Sequence, residues 1–127
     1  MLVVNVMAVL VLVLPWICAG IAKKMGGFKL EDNRRTREFL SAVEGVAARA
    51  NAAQQNSFEI LPLFVFVVLL AQWHGVEVRF LQYAVGAFLL SRMVYIGAYL
   101  ADKAMLRSIV WALGVVDLLL ILSLALG

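Results

Sequence analysis

Arg49, Asn56 and Glu59 share the stretch RANAAQQNSFEILPLF (49–64), which runs straight into apolar sequence ending at Trp73. In a helix, positions three, four and seven apart lie on one face. Arg49, Ala52, Ala53, Asn56, Glu59, Leu63 and Phe66 then form one stripe, polar in its first half and apolar beyond. An ionised carboxylate among apolar residues is costly, so Glu59 is expected to face other helices or a water-filled hollow, with a cation or donor nearby. Asn56, one turn earlier, both donates and accepts. Pro62 follows Glu59 by three residues; inside a helix it removes a backbone hydrogen bond and bends the axis, opening space beside the acid. Arg92, Tyr95 and Tyr99 make a second polar stripe at spacings of three and four. An arginine among Leu, Val and Phe calls for a carboxylate, and Glu59 and Asp117 are the interior acids available to it. Acid, amide and arginine on one stripe point to a polar site at membrane depth.

Each of these residues also has a plainer reading. Polar side chains in membrane helices serve as interhelical glue, and Ala47, Ala48, Ala50, Ala52 and Ala53 permit the close approach this needs. The tyrosines suit an interfacial aromatic belt, and Arg107 suits snorkelling to phosphate headgroups. His74 reads as a solvated loop residue and Cys18 as a small buried hydrophobe. One histidine and one cysteine leave no metal-ligand spacing. Nor is there a Gly-rich phosphate loop, a Ser-His-Asp set, or the aromatic-interleaved basic patch of a nucleic-acid binder.

The elements that must position these groups follow from composition. The chain has 127 residues, is 65% hydrophobic and carries a formal charge of +3, with mean hydropathy +0.98. So short a water-soluble chain has no interior large enough for that much apolar surface, which makes this a membrane protein of one domain. A bilayer core takes roughly 20 apolar residues of helix. Four segments meet that need: about 2–22, 36–73, 78–101 and 106–126. The second reaches the required length only by borrowing the polar turns before Leu61, so one continuous helix from Thr36 is expected. The short links at His74–Glu77 and Asp102–Met105 force antiparallel hairpins. A cleaved signal peptide fits the first span poorly, because no basic residue precedes it and Lys23 and Lys24 form a positive stop after it. Lys23, Lys24, Lys29, Arg34, Arg35 and Arg37 crowd the first loop, and Lys103 with Arg107 marks the third. By the positive-inside rule those loops are cytoplasmic and both termini lie opposite.

The second-span pattern of Arg49, Asn56, Glu59, Pro62 and Phe64, with RMVYIGAYLADKAMLRS (92–108), resembles the MAPEG family, the membrane-associated proteins in eicosanoid and glutathione metabolism. The resemblance covers nearly the whole chain and is nearest to bacterial members with an ANAAQxNSFE segment, which implies the bacterial inner membrane. It implies an all-α, integral membrane four-helix bundle assembled as a homotrimer, with glutathione as co-substrate between subunits near the cytoplasmic side. Arg49, Asn56 and Glu59 would come from one subunit and Arg92, Tyr95, Tyr99 and Arg107 from the next. Glutathione carries two carboxylates, an ammonium and a thiol, so arginines suit its carboxylates, Glu59 its ammonium, and Arg107 the thiolate. The resemblance makes Arg107 and Tyr95 the catalytic pair and the other five the binding set. The implied activity is that of a transferase or peroxidase for lipophilic electrophiles reached from the bilayer. Two positions depart from the pattern: Ala52 stands where catalytic members usually have arginine, and the step from Tyr99 to Arg107 differs from that of the eukaryotic enzymes. The alternative they leave open is a non-enzymatic subunit on the same scaffold, binding a lipid or a partner helix. An ion path along Glu59, Arg92 and Asp117 is disfavoured, since opposite charges neutralise one another.

Overall fold

A computed structural model describes residues 1–127, all of them helical or in short links. Four long helices are apolar enough to cross a bilayer: α1 (Leu2–Gly26), α3 (Gly45–Trp73), α4 (Val78–Leu100) and α5 (Ala104–Leu126). Between α1 and α3 lie a 3-10 turn (Leu30–Arg35) and a short helix α2 (Thr36–Ala42). The protein is an integral, multi-pass membrane protein built as a four-helix bundle.

Three helix ends close in the same way. At Gly27 (φ 73°) the Phe28 N–H donates to the Lys23 carbonyl and the Gly27 N–H to that of Lys24, the paired bonds of a Schellman motif. Gly75 (φ 73°) ends α3 likewise, with Val76 N–H on the Ala71 carbonyl. Asp102 (φ 57°) ends α4, with Lys103 N–H on Ala98. Aspartate tolerates that left-handed geometry better than most side chains.

The continuous helix expected over 36–73 is not formed. Val43 and Glu44 are extended, and Gly45 enters α3 at φ 58°. Side-chain chemistry rewards the break. Asn51 Nδ2 donates to the Leu40 carbonyl at the end of α2 (3.1 Å), while Phe39 packs edge-on against Phe28 and Val43 closes over Gly26. A Cβ on Gly26 would stand 2.7 Å from Val43 Cγ1. The first helix also runs beyond the expected Ala22, carrying Lys23 and Lys24 on its last turn.

α1 packs on α3 and α4, α5 packs on the same two, and the backbones of α1 and α5 do not approach each other closely. The main core sits in the half farther from the first loop. There Phe64 of α3 stacks on Phe88 of α4, rings 4.7 Å apart, among Val4, Val11, Val67, Leu81, Val85, Leu118 and Ile121. A smaller cluster of Cys18, Ala53, Tyr95, Ile96 and Val110 lies toward the first loop. Leu63, Phe66, Leu69, Leu90, Leu113 and Val116 point outward, the arrangement expected where the surroundings are lipid.

Candidate functional site

The second cluster supports a ladder of two aromatic rings with a cation at each end. Arg92, only 3% exposed, is fixed by two groups of α3. Its Nη2 donates to Asn56 Oδ1 at 3.2 Å and to Ser57 Oγ at 3.0 Å. The Ser57 hydroxyl donates in turn to the Ala53 carbonyl at 2.8 Å. The Arg92 guanidinium lies 4.1 Å from the Tyr95 ring centroid. Tyr95 and Tyr99, one helical turn apart, meet edge to face at 5.5 Å. Arg107, at the start of α5, closes the ladder with its guanidinium 4.4 Å over the Tyr99 ring. Cation–π contacts of this kind gain strength where water is scarce.

The ladder opens into a cleft of about 230 Å³ lined by Asn56, Tyr95, Tyr99, Arg107, Ser108 and Trp111. Its chemistry is one-sided. Arg92 occupies Asn56 Oδ1 and thereby leaves the Nδ2 hydrogens for a ligand. Arg107 has no carboxylate partner, since the chain's one ion pair is Arg35 with Glu38, on the surface. Guanidinium, amide N–H and phenol hydroxyls face the cleft with no acid lining it. Such a donor set receives an anion and strengthens hydrogen bonds to it.

Four residues singled out from the sequence therefore share one cleft: Asn56, Tyr95, Tyr99 and Arg107. Arg92 lies beneath it. Arg49 sits at the rim-side end of α3, where its Nε donates to the Leu100 carbonyl at 3.2 Å. The carboxylate partner expected for Arg92 is absent. Glu59 is exposed on the bundle's outer face and Asp117 lies between α4 and α5. Neither forms an ion pair. Arg92 is satisfied by Asn56 and Ser57 instead, and Glu59, one turn beyond Asn56, is left exposed. Glu59 accordingly faces outward from the single bundle rather than into a hollow between its helices.

Ser57, Ser108 and Trp111 were not evident as site residues beforehand. Ser57 follows Asn56 and Ser108 follows Arg107, so adjacency to a charged or amide residue was the signal present. A second hollow, about 450 Å³, lies between α2 and α3 and is lined by Arg37, Leu40, Ser41, Asn51, Gln54, Gln55 and Phe58. The Gln54 side-chain carbonyl is buried there without a donor.

A polytopic helical membrane protein with an anion-receptive cleft at its basic-loop end is the class these features define. The chain belongs to the MAPEG family, whose profile matches residues 3–127. Members of this family are membrane-associated and generally oligomeric, and the family is broadly associated with glutathione and eicosanoid metabolism. No curated protein and no solved structure matches the chain.

Proposed function

We propose that this protein is a glutathione-dependent transferase or peroxidase for lipophilic electrophiles, working at the Asn56–Tyr99–Arg107 cleft. One observation carries the reading: Arg107 is stacked on Tyr99, has no acidic partner, and stands over a cleft lined with donors. A guanidinium so placed favours a thiolate over a thiol. In the transferase reaction the thiolate sulfur bonds to the electrophilic carbon, and the displaced group leaves with the bonding pair. Where the substrate is a hydroperoxide, the sulfur attacks the terminal oxygen, the O–O bond breaks and the alkoxide leaves to be protonated to the alcohol; a second glutathione thiol then displaces water from the resulting sulfenic acid to give the disulfide. Tyr95 and Tyr99 supply hydroxyl donors to the leaving oxygen or the thiolate. Asn56 holds the peptide backbone of glutathione, Arg49 the carboxylate nearest the loop, and Arg92 keeps Asn56 oriented. Glu59 is exposed and unpaired on the single bundle, which suits a residue that meets the ammonium of glutathione at a boundary between subunits. The assembly is a homotrimer in the bacterial inner membrane, its first and third loops cytoplasmic and both termini opposite.

Calorimetric titration of the detergent-solubilised protein with glutathione tests this directly. Binding is expected, and Glu59→Gln and Arg107→Ala are each expected to abolish conjugation of an apolar electrophile; unchanged turnover in both ends the proposal. Ala52, in place of the arginine that catalytic members usually carry, favours a second reading, a non-enzymatic subunit holding a lipid or partner helix in the same crevice. Native mass spectrometry separates the two. A retained lipid or partner with no glutathione at millimolar concentration supports the second, while tighter glutathione binding by Ala52→Arg supports the first.

A further inference from the structure

The hollow between α2 and α3 takes no part in the ladder. It measures about 450 Å³ and draws Arg37, Leu40 and Ser41 from α2 and Asn51, Gln55 and Phe58 from α3. A hydrocarbon core is crossed by about 20 residues of helix, and counting that far back from Trp73, where α3 ends, reaches Gln54. The hollow therefore stands where α3 leaves the apolar layer, at the level of lipid headgroups.

Its lining selects an anion. Arg37 is exposed and unpaired, because Glu38 beside it pairs with Arg35, and no carboxylate lines the hollow. A phosphate entering it meets a charge-assisted donor; an ammonium meets a guanidinium and no acid. The neutral groups add hydrogen bonding of both kinds. Asn51 spends one Nδ2 hydrogen on the Leu40 carbonyl, which leaves the other hydrogen and the side-chain oxygen. Gln55 is exposed and both donates and accepts. Ser41 gives its proton to the Glu38 carbonyl at 2.7 Å, so its oxygen is left to accept. Gln54 has its carbonyl oxygen buried, out of reach of an occupant. Below these groups the surface turns apolar. Gln55, Phe58, Pro62, Phe66 and Leu69 follow at spacings of three and four and make one stripe down α3, exposed throughout. The occupant that satisfies both parts joins an anionic, hydroxyl-bearing head to an apolar tail.

We propose that the α2–α3 hollow binds the head of an anionic glycerophospholipid of the phosphatidylglycerol kind. Its phosphate lies on Arg37, its glycerol hydroxyls on Asn51, Gln55 and Ser41, and one acyl chain along Phe58 and Phe66. Phosphatidylcholine brings the same phosphate and tails, but replaces the hydroxyls with a quaternary ammonium that finds no acid here. Free glycerol phosphate brings the head and leaves the stripe uncovered.

The test is native mass spectrometry of the intact protein in a non-ionic detergent, titrated with phosphatidylglycerol and phosphatidylcholine of identical acyl chains. Phosphatidylglycerol is expected to be retained in preference. Arg37→Gln is expected to weaken its retention roughly fivefold, the worth of one basic side chain at an anionic headgroup. Arg34→Gln removes the same charge from the same loop outside the hollow and is expected to stay near wild type. Ser41→Trp, at an exposed position, fills the hollow and is expected to abolish the preference between the two lipids. Equal retention of both lipids by the wild type, or equal losses in Arg37→Gln and Arg34→Gln, overturns the proposal and leaves only general attraction to a basic loop. Absence of retained phosphatidylglycerol also overturns it, as would follow if a second copy of the chain covered the hollow. Full displacement of the lipid by glycerol phosphate overturns it in favour of a free phosphate ester, and displacement by glutathione overturns it by making the hollow part of the ladder's site. Glutathione titration of Arg37→Gln is expected to match wild type, so failure of the lipid site and failure of the ladder cleft remain distinguishable.

Discussion

Arg92 shows how a buried charge is held when no acid is near. Its guanidinium is solvated by an amide oxygen, a hydroxyl and an aromatic face. Ser57→Ala removes one of these and is expected to destabilise the bundle by about 1.5–3 kcal/mol, the usual worth of a hydrogen bond to a charged group. The check is a lowered thermal midpoint in detergent, and Arg92→Lys should not be tolerated better, because an ammonium cannot reach both α3 acceptors in the guanidinium's planar geometry. Tyr99 permits a finer separation. Tyr99→Phe keeps the ring under Arg107, whereas Tyr99→Leu deletes a cation–π contact of about 0.5–2 kcal/mol. Glutathione affinity should fall roughly two- to thirtyfold in the leucine variant and much less in phenylalanine; equal losses would place the role in the hydroxyl instead. The residue types of this site were legible in the sequence, and their partners were not. Charge alone paired Arg92 with Glu59 or Asp117, but the α3–α4 crossing decides which side of α3 the guanidinium meets, and that crossing is a tertiary fact. Ser57 wins because it points at α4, not because its chemistry is better.

The four spans were readable because apolar length is a strong signal in lipid. The interruption before α3 was not. Residues 36–44 carry ordinary helix-forming side chains, and only Gly45 hints that the path turns. What breaks the helix is long-range, namely Asn51 capturing the Leu40 carbonyl and Val43 seating on Gly26. This has a consequence for the first loop, whose three arginines at 34, 35 and 37 ride on the 3-10 turn and α2. Gly26→Leu puts side-chain atoms where Val43 Cγ1 and the Phe39 ring already sit, at 2.7 and 3.1 Å from the new Cβ. Overpacking of this sort typically costs about 1–3 kcal/mol, and here the least anchored partner is the one to move. α2 should lift from the bundle while the four spans stay intact. Faster tryptic cleavage at Arg34, Arg35 and Arg37, with an unchanged helical circular-dichroism signal, is the expected result. Cleavage at the wild-type rate would mean that the loop is held by something other than this contact.

On the scale of the whole molecule, the single bundle holds an arginine-lined cleft and, one turn of α3 beyond its Asn56, an unpaired acid. That acid, Glu59, is exposed on α3, whereas Asn56 lines the cleft. Glu59 and Arg107 form no ion pair within one chain, so a ligand bonded to both sits on one copy or bridges two, and mixed assemblies separate these cases. Closed cyclic assembly makes every such boundary alike. If each site draws Glu59 from one subunit and Arg107 from its neighbour, two inactive variants should restore one another when mixed in the proposed homotrimer. Co-expressed Glu59→Gln and Arg107→Ala subunits, assembling at random, place an intact Glu59 beside an intact Arg107 at about one boundary in four under such symmetry. Conjugating activity near a quarter of wild type is therefore expected from the co-expressed pair, against none from either variant alone or from the two purified separately and combined without exchange. A silent mixture, in trimers shown by mass spectrometry to contain both variants, would mean that both residues serve the same copy. The outward position of Glu59 would then need another occupant.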